Sequence, residues 1–347
     1  MPAHFRVFIK KIHVCLHFKI SNMFYLLRKA HLLQLFVGLS VLLFCGVEIF
    51  IKPLDTSLFC GSLPCATLLV QWLMVHPVGA HFFVFILFLL QVGLLFHYVR
   101  KSDFLDEENI LSILFFCAIS LGMGIFLPLS PAWFTITAAL TVLNLSNYAN
   151  NTSHSKTFLL VAGIVLGVAT LFDLTALLLI LFFILHILIN QIDKLRDFMA
   201  MICGILLPYC YLFVYHYLAG SLLEYLHSFS QIRLQFPLFT QSHFTLFTFI
   251  ALGLGLLLTI YVLIRIKVLY NNKLIVVRRR FLFLCVFFGF NILMLLTTNV
   301  VYPYSLHYVL IPVTVAVIAF IPVKNFAIST EVLLIFLTAS FVVMARF

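Results

Sequence analysis

Residues 163–185 read GIVLGVATLFDLTALLLILFFIL, apolar almost throughout but with one carboxylate, Asp173, near the centre. Together with its apolar flanks the segment runs from 157 to 190. As one straight helix it would be about 51 Å long, more than a hydrocarbon core of about 30 Å accepts without extreme tilt. The alternative is a hairpin of two helices of about 16 residues each, turning round near Phe172 and Asp173. Choosing between them fixes the direction of every later segment.

The basic residues make the choice. Read outward from this stretch, the sequence offers spans near 32–51, 80–99, 109–127, 131–147, 157–172, 174–190, 198–217, 243–266, 281–298, 303–322 and 331–345. With the N-terminus in the cytoplasm, this alternation leaves only Lys52, Arg233 and Arg346 of the 21 Lys and Arg on the outer side. Cytoplasmic loops of membrane proteins carry that excess of positive charge. A single crossing at 157–190 would move Lys194, Arg196 and the cluster from Arg265 to Arg280 outside, so the hairpin is expected. Asp173 then sits at the outer turn, where its carboxylate is expected to cap the following helix. An acid facing a cavity at that depth is also a candidate functional group.

The composition agrees with this reading. Apolar residues make up 64% of the 347 positions and charged residues 9%, with a mean hydropathy of +1.19. A soluble domain is about half apolar and a quarter charged. The expectation is an all-α, polytopic membrane bundle of about 11 transmembrane helices (10–12), with the N-terminus cytoplasmic and interfacial amphipathic helices at its surfaces. It is read as a single polytopic membrane domain over 32–347. No small-residue cleavage site follows a span, so no segment is expected to be removed.

Residues 1–31 form a separate basic, amphipathic segment. Arg6, Lys10, His13 and His17 recur at helical spacing among Phe, Ile, Val and Leu, as in a helix lying on an anionic lipid surface. The apolar filling argues for the lipid bilayer as partner and against nucleic acid. In the first outer loop Cys60 and Cys65 enclose Gly61 and Pro64, and an oxidising compartment would allow them to pair. The short apolar segment 65–75 is expected along the outer interface, and 221–241 as a surface-hugging loop or a lid. Gly163 and Gly167 form a small-xxx-small face for close helix packing. Pro208 is expected to kink its helix.

Of the eleven acids, Asp103, Asp106, Glu107, Glu108, Asp193, Asp197 and Glu331 fall on the cytoplasmic side as ordinary solvated charges. Glu48, Asp55, Asp173 and Glu224 fall outside. Acids from separate elements, with His227 and Arg233 beside them, suit acid–base chemistry or a metal–phosphate group. Glu48 or Asp55 would act as base, and Asp173, Glu224, His227 and Arg233 would bind substrate or a metal–phosphate. No residue set names a metal; the cofactor is left unknown, with a divalent cation compatible. Phosphate-binding glycine loops, His-Glu-x-x-His and nucleophile elbows are absent from the sequence.

The passages LSPAWFTITAALTVLNLSNY (129–148), GIVLGVATLFDLTALLLILFFIL and GILLPYCYLFVYHYLAG (204–220) resemble, in that order and spacing, a family of multi-pass inner-membrane proteins of unknown function from Bacteroidetes-type bacteria. The resemblance covers about 40% of the chain and implies architecture rather than activity. Where that family has an aromatic residue and a proline, this sequence has Asp173, Leu174 and Thr175. In architecture the chain also looks like the polyprenyl-phosphate-sugar-dependent glycosyltransferases, whose first outer loop supplies a catalytic acid. That likeness implies a glycosyltransferase-like envelope enzyme using a polyprenyl-phosphate-linked sugar, with Asp55 or Glu48 as its base. The alternatives are a non-catalytic subunit or assembly factor of an envelope or secretion machine, with unknown protein partners, and third a transporter.

Overall fold

The computed structural model describes residues 64–101, 132–149, 155–173, 176–190 and 194–230, together with helical residues within 39–50, 116–120 and 286–290. Every regular element among the described residues is a helix. They are α1 (Pro64–Val75), α2 (Pro77–Lys101), α3 (Ala132–Ala149), α4 (Ser155–Phe172), α5 (Leu177–Asn190), α6 (Lys194–Leu218) and α7 (Leu222–Ser230). The basic segment 1–31 lies outside the described residues.

Local chemistry sets several of the boundaries. Pro64 and Pro77 open α1 and α2, the position where a missing N–H is not needed. Arg100 and Lys101 close α2, where positive charge meets the negative end of the helix dipole. The end of α6 is a Schellman turn: Gly220 has φ of 69°, its N–H bonds the Tyr217 carbonyl and the Ser221 N–H bonds the His216 carbonyl. Only a residue without a Cβ takes that conformation easily. Two stretches, Pro77–Lys101 and Arg196–Leu218, are long and apolar enough to cross a membrane.

Side-chain contacts give the relative directions of the helices. Phe50 packs on Phe82 with ring centroids 5.0 Å apart, while Gly46 lies against Phe85, so residues 39–50 run antiparallel to α2. Phe83 lies 6.1 Å from Phe134 and Asn144 bonds the Leu94 carbonyl, so α2 and α3 are parallel. The end of α2 and the start of α3 therefore lie at opposite ends of the bundle, and Phe116 stacks 6.1 Å from Phe88 at the middle of α2. At the start of α3, Phe134 stacks 4.3 Å from Phe172 at the end of α4, and these two helices are antiparallel.

The α4–α6 pair is the closest contact in the bundle. A Cβ on Gly163 would stand 2.3 Å from the Met201 carbonyl oxygen, and one on Gly204 would stand 2.3 Å from that of Leu160. Gly167 meets Ile205 and Pro208 one turn further on, so numbering rises together and α4 and α6 are parallel. A single helix over 157–190 would have made them antiparallel. The chain instead breaks at Asp173 and α5 brings it back. The two arms are splayed: α5 touches α4 sparingly and buries Phe182 against Phe287 and Phe290, at 5.1 and 5.7 Å between centroids.

With these directions, every described Lys and Arg lies at one end of the bundle: Arg100 and Lys101, Lys156, and Lys194 with Arg196. Asp197 lies there too, in the first turn of α6. It was expected as a solvated charge and is instead fully buried. The far end carries the α4–α5 joint, the heads of α2 and α3, and the turn from α6 into α7.

Because Gly163 meets backbone rather than a movable side chain, Gly163→Ala should push α4 from α6 and destabilise the fold by about 1–3 kcal/mol. Gly93 has open space around the place of a Cβ, so Gly93→Ala should be neutral or stabilising. Thermal unfolding of both variants in detergent measures the difference.

Candidate functional site

The polar groups of the far end start at the joint. Ala169 accepts a bond from the Asp173 N–H, ending α4, and the Asp173 carbonyl accepts one from the Ala176 N–H. The side chain, 7% exposed, is engaged by a different helix: Thr135 Oγ1 donates to Asp173 Oδ2. The expected cap was a backbone N–H two or three residues on; Thr175 lies outside the described residues, and the Ala176 N–H goes to the backbone carbonyl. Asp173 therefore ties α3 to the joint.

One turn earlier on α4, the buried Thr170 hydroxyl donates to the Gly167 carbonyl at 2.7 Å. It also lies 2.7 Å from the Tyr209 hydroxyl of α6, which is left to act as donor. In the last turn of α6, His216 Nδ1 lies 2.9 Å from Ser221 Oγ, and the Tyr225 ring stacks on His216 with centroids 4.1 Å apart. Ser221 caps α7 by accepting the Tyr225 N–H on its carbonyl. The contacts on both faces of the Schellman turn thus hold α7 at a fixed angle to α6.

The first short helix reaches the same place from the other side. Cys65, Leu69 and Leu73 form an inward stripe at helical spacing, while Leu68, Trp72, Met74 and Val75 are exposed. Its last residues run through His76 into the head of α2. Its first turn brings Cys65 near Tyr225: burial first, then the neighbouring Cys65 and Tyr209, push the Tyr225 phenol up to about 12. Burial also pushes the Cys65 thiol up. The expectation that 65–75 lies along one end of the bundle agrees with this path, and α7 is the described part of the 221–241 element.

Of the expected site residues, Asp173, Cys65, Glu224 and His227 are described. Glu224 and His227 lie on α7, three residues apart, and His227 is exposed. Glu48, Asp55, Cys60 and Arg233 lie outside the described residues, and with them the shared acidic site and the Cys60–Cys65 pairing. Cys65 carries a free thiol. Among the described residues no group of three His, Cys, Asp or Glu is placed to hold a metal ion. Thr135, Thr170, Tyr209, His216 and Tyr225 were not anticipated; the only sequence signal for them is polarity at the far ends of apolar helices. No protein-family model matches the chain, and neither a curated protein nor a solved structure matches it.

Thr135→Val keeps shape but removes the donor to a buried carboxylate. It should lower stability by about 1–3 kcal/mol, and Thr135→Ser should recover most of the loss in thermal unfolding. A second expectation concerns pH. The Tyr225 phenol holds its proton to about 12 in the folded chain, against about 10 for an unfolded tyrosine. Between those values the unfolded state binds fewer protons, so stability falls as pH rises from about 10 to about 12. In Tyr225→Phe, which keeps the stack on His216, the unfolding temperature should fall less over that range.

Proposed function

We propose that the chain is a multi-pass protein of the bacterial inner membrane, with its basic end in the cytoplasm and an outward-facing site at the far end. The observation that carries the reading is the gathering of all described Lys and Arg at one end, the asymmetry membrane insertion imposes. The helix directions support it, since each is the one that alternate crossing of the spans requires. Further support comes from exposed Tyr211, Tyr215 and Tyr217 on α6 and Trp72 on α1, aromatic residues of the kind that populate a membrane interface. From Arg196 to Tyr217 a helix rises about 32 Å, close to a hydrocarbon thickness of about 30 Å. The lipid bilayer is then the partner of the exposed Leu, Val and Met side chains.

For the outward site the enzymatic reading is glycosyl transfer from a polyprenyl-phosphate-linked sugar. Glu48 or Asp55 would be the base, Glu224 and His227 would meet the acceptor or a divalent cation, and Arg233 the phosphate. The bond from Thr135 gives Asp173 a positioning part in this scheme. The same bond favours a second reading, a non-catalytic subunit or assembly factor. Described polar groups of the far end, such as Thr135 with Asp173 and Thr170 with Tyr209, are spent on one another.

One set of variants tests both levels. A fluorescent protein fused after Lys101 should glow and alkaline phosphatase fused after Gly220 should be active; the reverse pattern sinks the orientation. In correctly inserted full-length protein, the double change Glu48→Gln, Asp55→Asn should abolish the glycan product. Unchanged glycan with retained partner proteins on purification would favour the non-catalytic subunit.

A further inference from the structure

The contact between α2 and α3 contains two amides that the far-end site does not use. Gln91, midway along α2, is 0% exposed, and Asn144 on α3 is 6% exposed. Gln91 Nε2 donates to the Trp133 carbonyl at 3.2 Å and to Thr137 Oγ1 at 3.1 Å. Asn144 Nδ2 donates to the carbonyls of Leu94 and Leu140, both at 2.9 Å. Each amide thus has both N–H groups in use. Gln91 Oε1 and Asn144 Oδ1 have no hydrogen-bond partner among the described residues.

Turning either amide over does not help. The Asn144 oxygen would then face two carbonyl oxygens. The Gln91 oxygen would face the Trp133 carbonyl and a Thr137 hydroxyl whose hydrogen already goes to that same carbonyl, at 2.7 Å. Thr141 likewise donates to the Thr137 carbonyl at 2.8 Å. Trp133, Thr137, Leu140, Thr141 and Asn144 share one face of α3 by their spacing. The seam therefore presents acceptors and spends its donors. A buried amide oxygen in that position calls for a bound water or an ion.

We propose that the α2–α3 seam binds a small electropositive guest, water or a monovalent cation, held by Gln91 Oε1 and Asn144 Oδ1. The ligands are neutral oxygens, with the Thr137 and Thr141 hydroxyls as added acceptors; a set without carboxylates suits single rather than double positive charge. The guest supplies what the two oxygens lack and adds to the amide bonds that already join α2 to α3. This inference rests on burial and bonding, and stands apart from the orientation and the outward site.

The test uses the full-length protein in detergent. Radiolytic hydroxyl labelling oxidises buried side chains where water lies against them. If the guest is water, fully buried Leu140 should be labelled severalfold faster than Leu166, equally buried on α4. If it is a cation, the unfolding temperature should be several degrees higher in sodium or potassium chloride than in choline chloride. Either signal should disappear in Gln91→Leu, or in Asn144→Leu where the first does not fold. Equal labelling of the two leucines together with one unfolding temperature in all three salts overturns the proposal, and so does a signal that survives both substitutions.

Discussion

The backbone contact between α4 and α6 is the constraint on which the rest of the arrangement depends. Gly163 and Gly204 remove the side chains that would hold the two helices apart, and each places its backbone against a carbonyl of the other helix. Small residues are how apolar helices gain attraction where no hydrophobic force separates protein from lipid. Because the contact fixes α4 and α6 as parallel, the residues between them must carry the chain back. The break at Asp173 and the short α5 follow from that requirement. Pro208 fits at the upper end of the seam, beside Gly167, where a ring can occupy the space a larger side chain on α4 would need.

Features written in local sequence were legible. The turn at Phe172 and Asp173, the glycine face at 163 and 167, and the shortness of the helix over 65–75 each follow from length, spacing or composition over a dozen residues. The one-ended placement of Arg100, Lys101, Lys156, Lys194 and Arg196 follows from counting. Contacts between distant residues were not legible. Thr135 and Asp173 are 38 positions apart, Gln91 and Thr137 46, and neither periodicity nor propensity contains that pairing. The burial of Asp197 escaped notice for the same reason: its neighbours Lys194 and Arg196 made it look solvated, and only the packing of α6 encloses it.

Polar residues inside this apolar bundle obey one economy. Hydroxyls of Ser120, Thr137, Thr141, Ser146 and Thr170 return to carbonyls of their own helix three or four residues back, which satisfies them without a partner from another helix. Longer side chains also reach across to a neighbouring helix. Gln91 and Asn144 do so for α2 with α3, Tyr209 for α6 with α4, and Asp173 with Thr135 for the joint with α3. Among the described residues these interhelical polar bonds fall on three different contacts, so they specify which helices are neighbours more than they add to total stability.

The unequal helix lengths explain why an acid at a helix end is buried at all. Matching Gly163 to Gly204 and Thr170 to Tyr209 puts Asp173 level with residue 213 or so of α6, about five residues, or ~8 Å, short of its end. The joint is thus sunk below the rim formed by the last turns of α6. From that rim the Schellman turn sends out α7, and from the head of α2 comes α1, whose Cys65 lies near Tyr225 of α7. Two short helices thus hang on the longer ones at the end where the joint lies. An acid there is shielded from bulk water without being at the centre of the bundle.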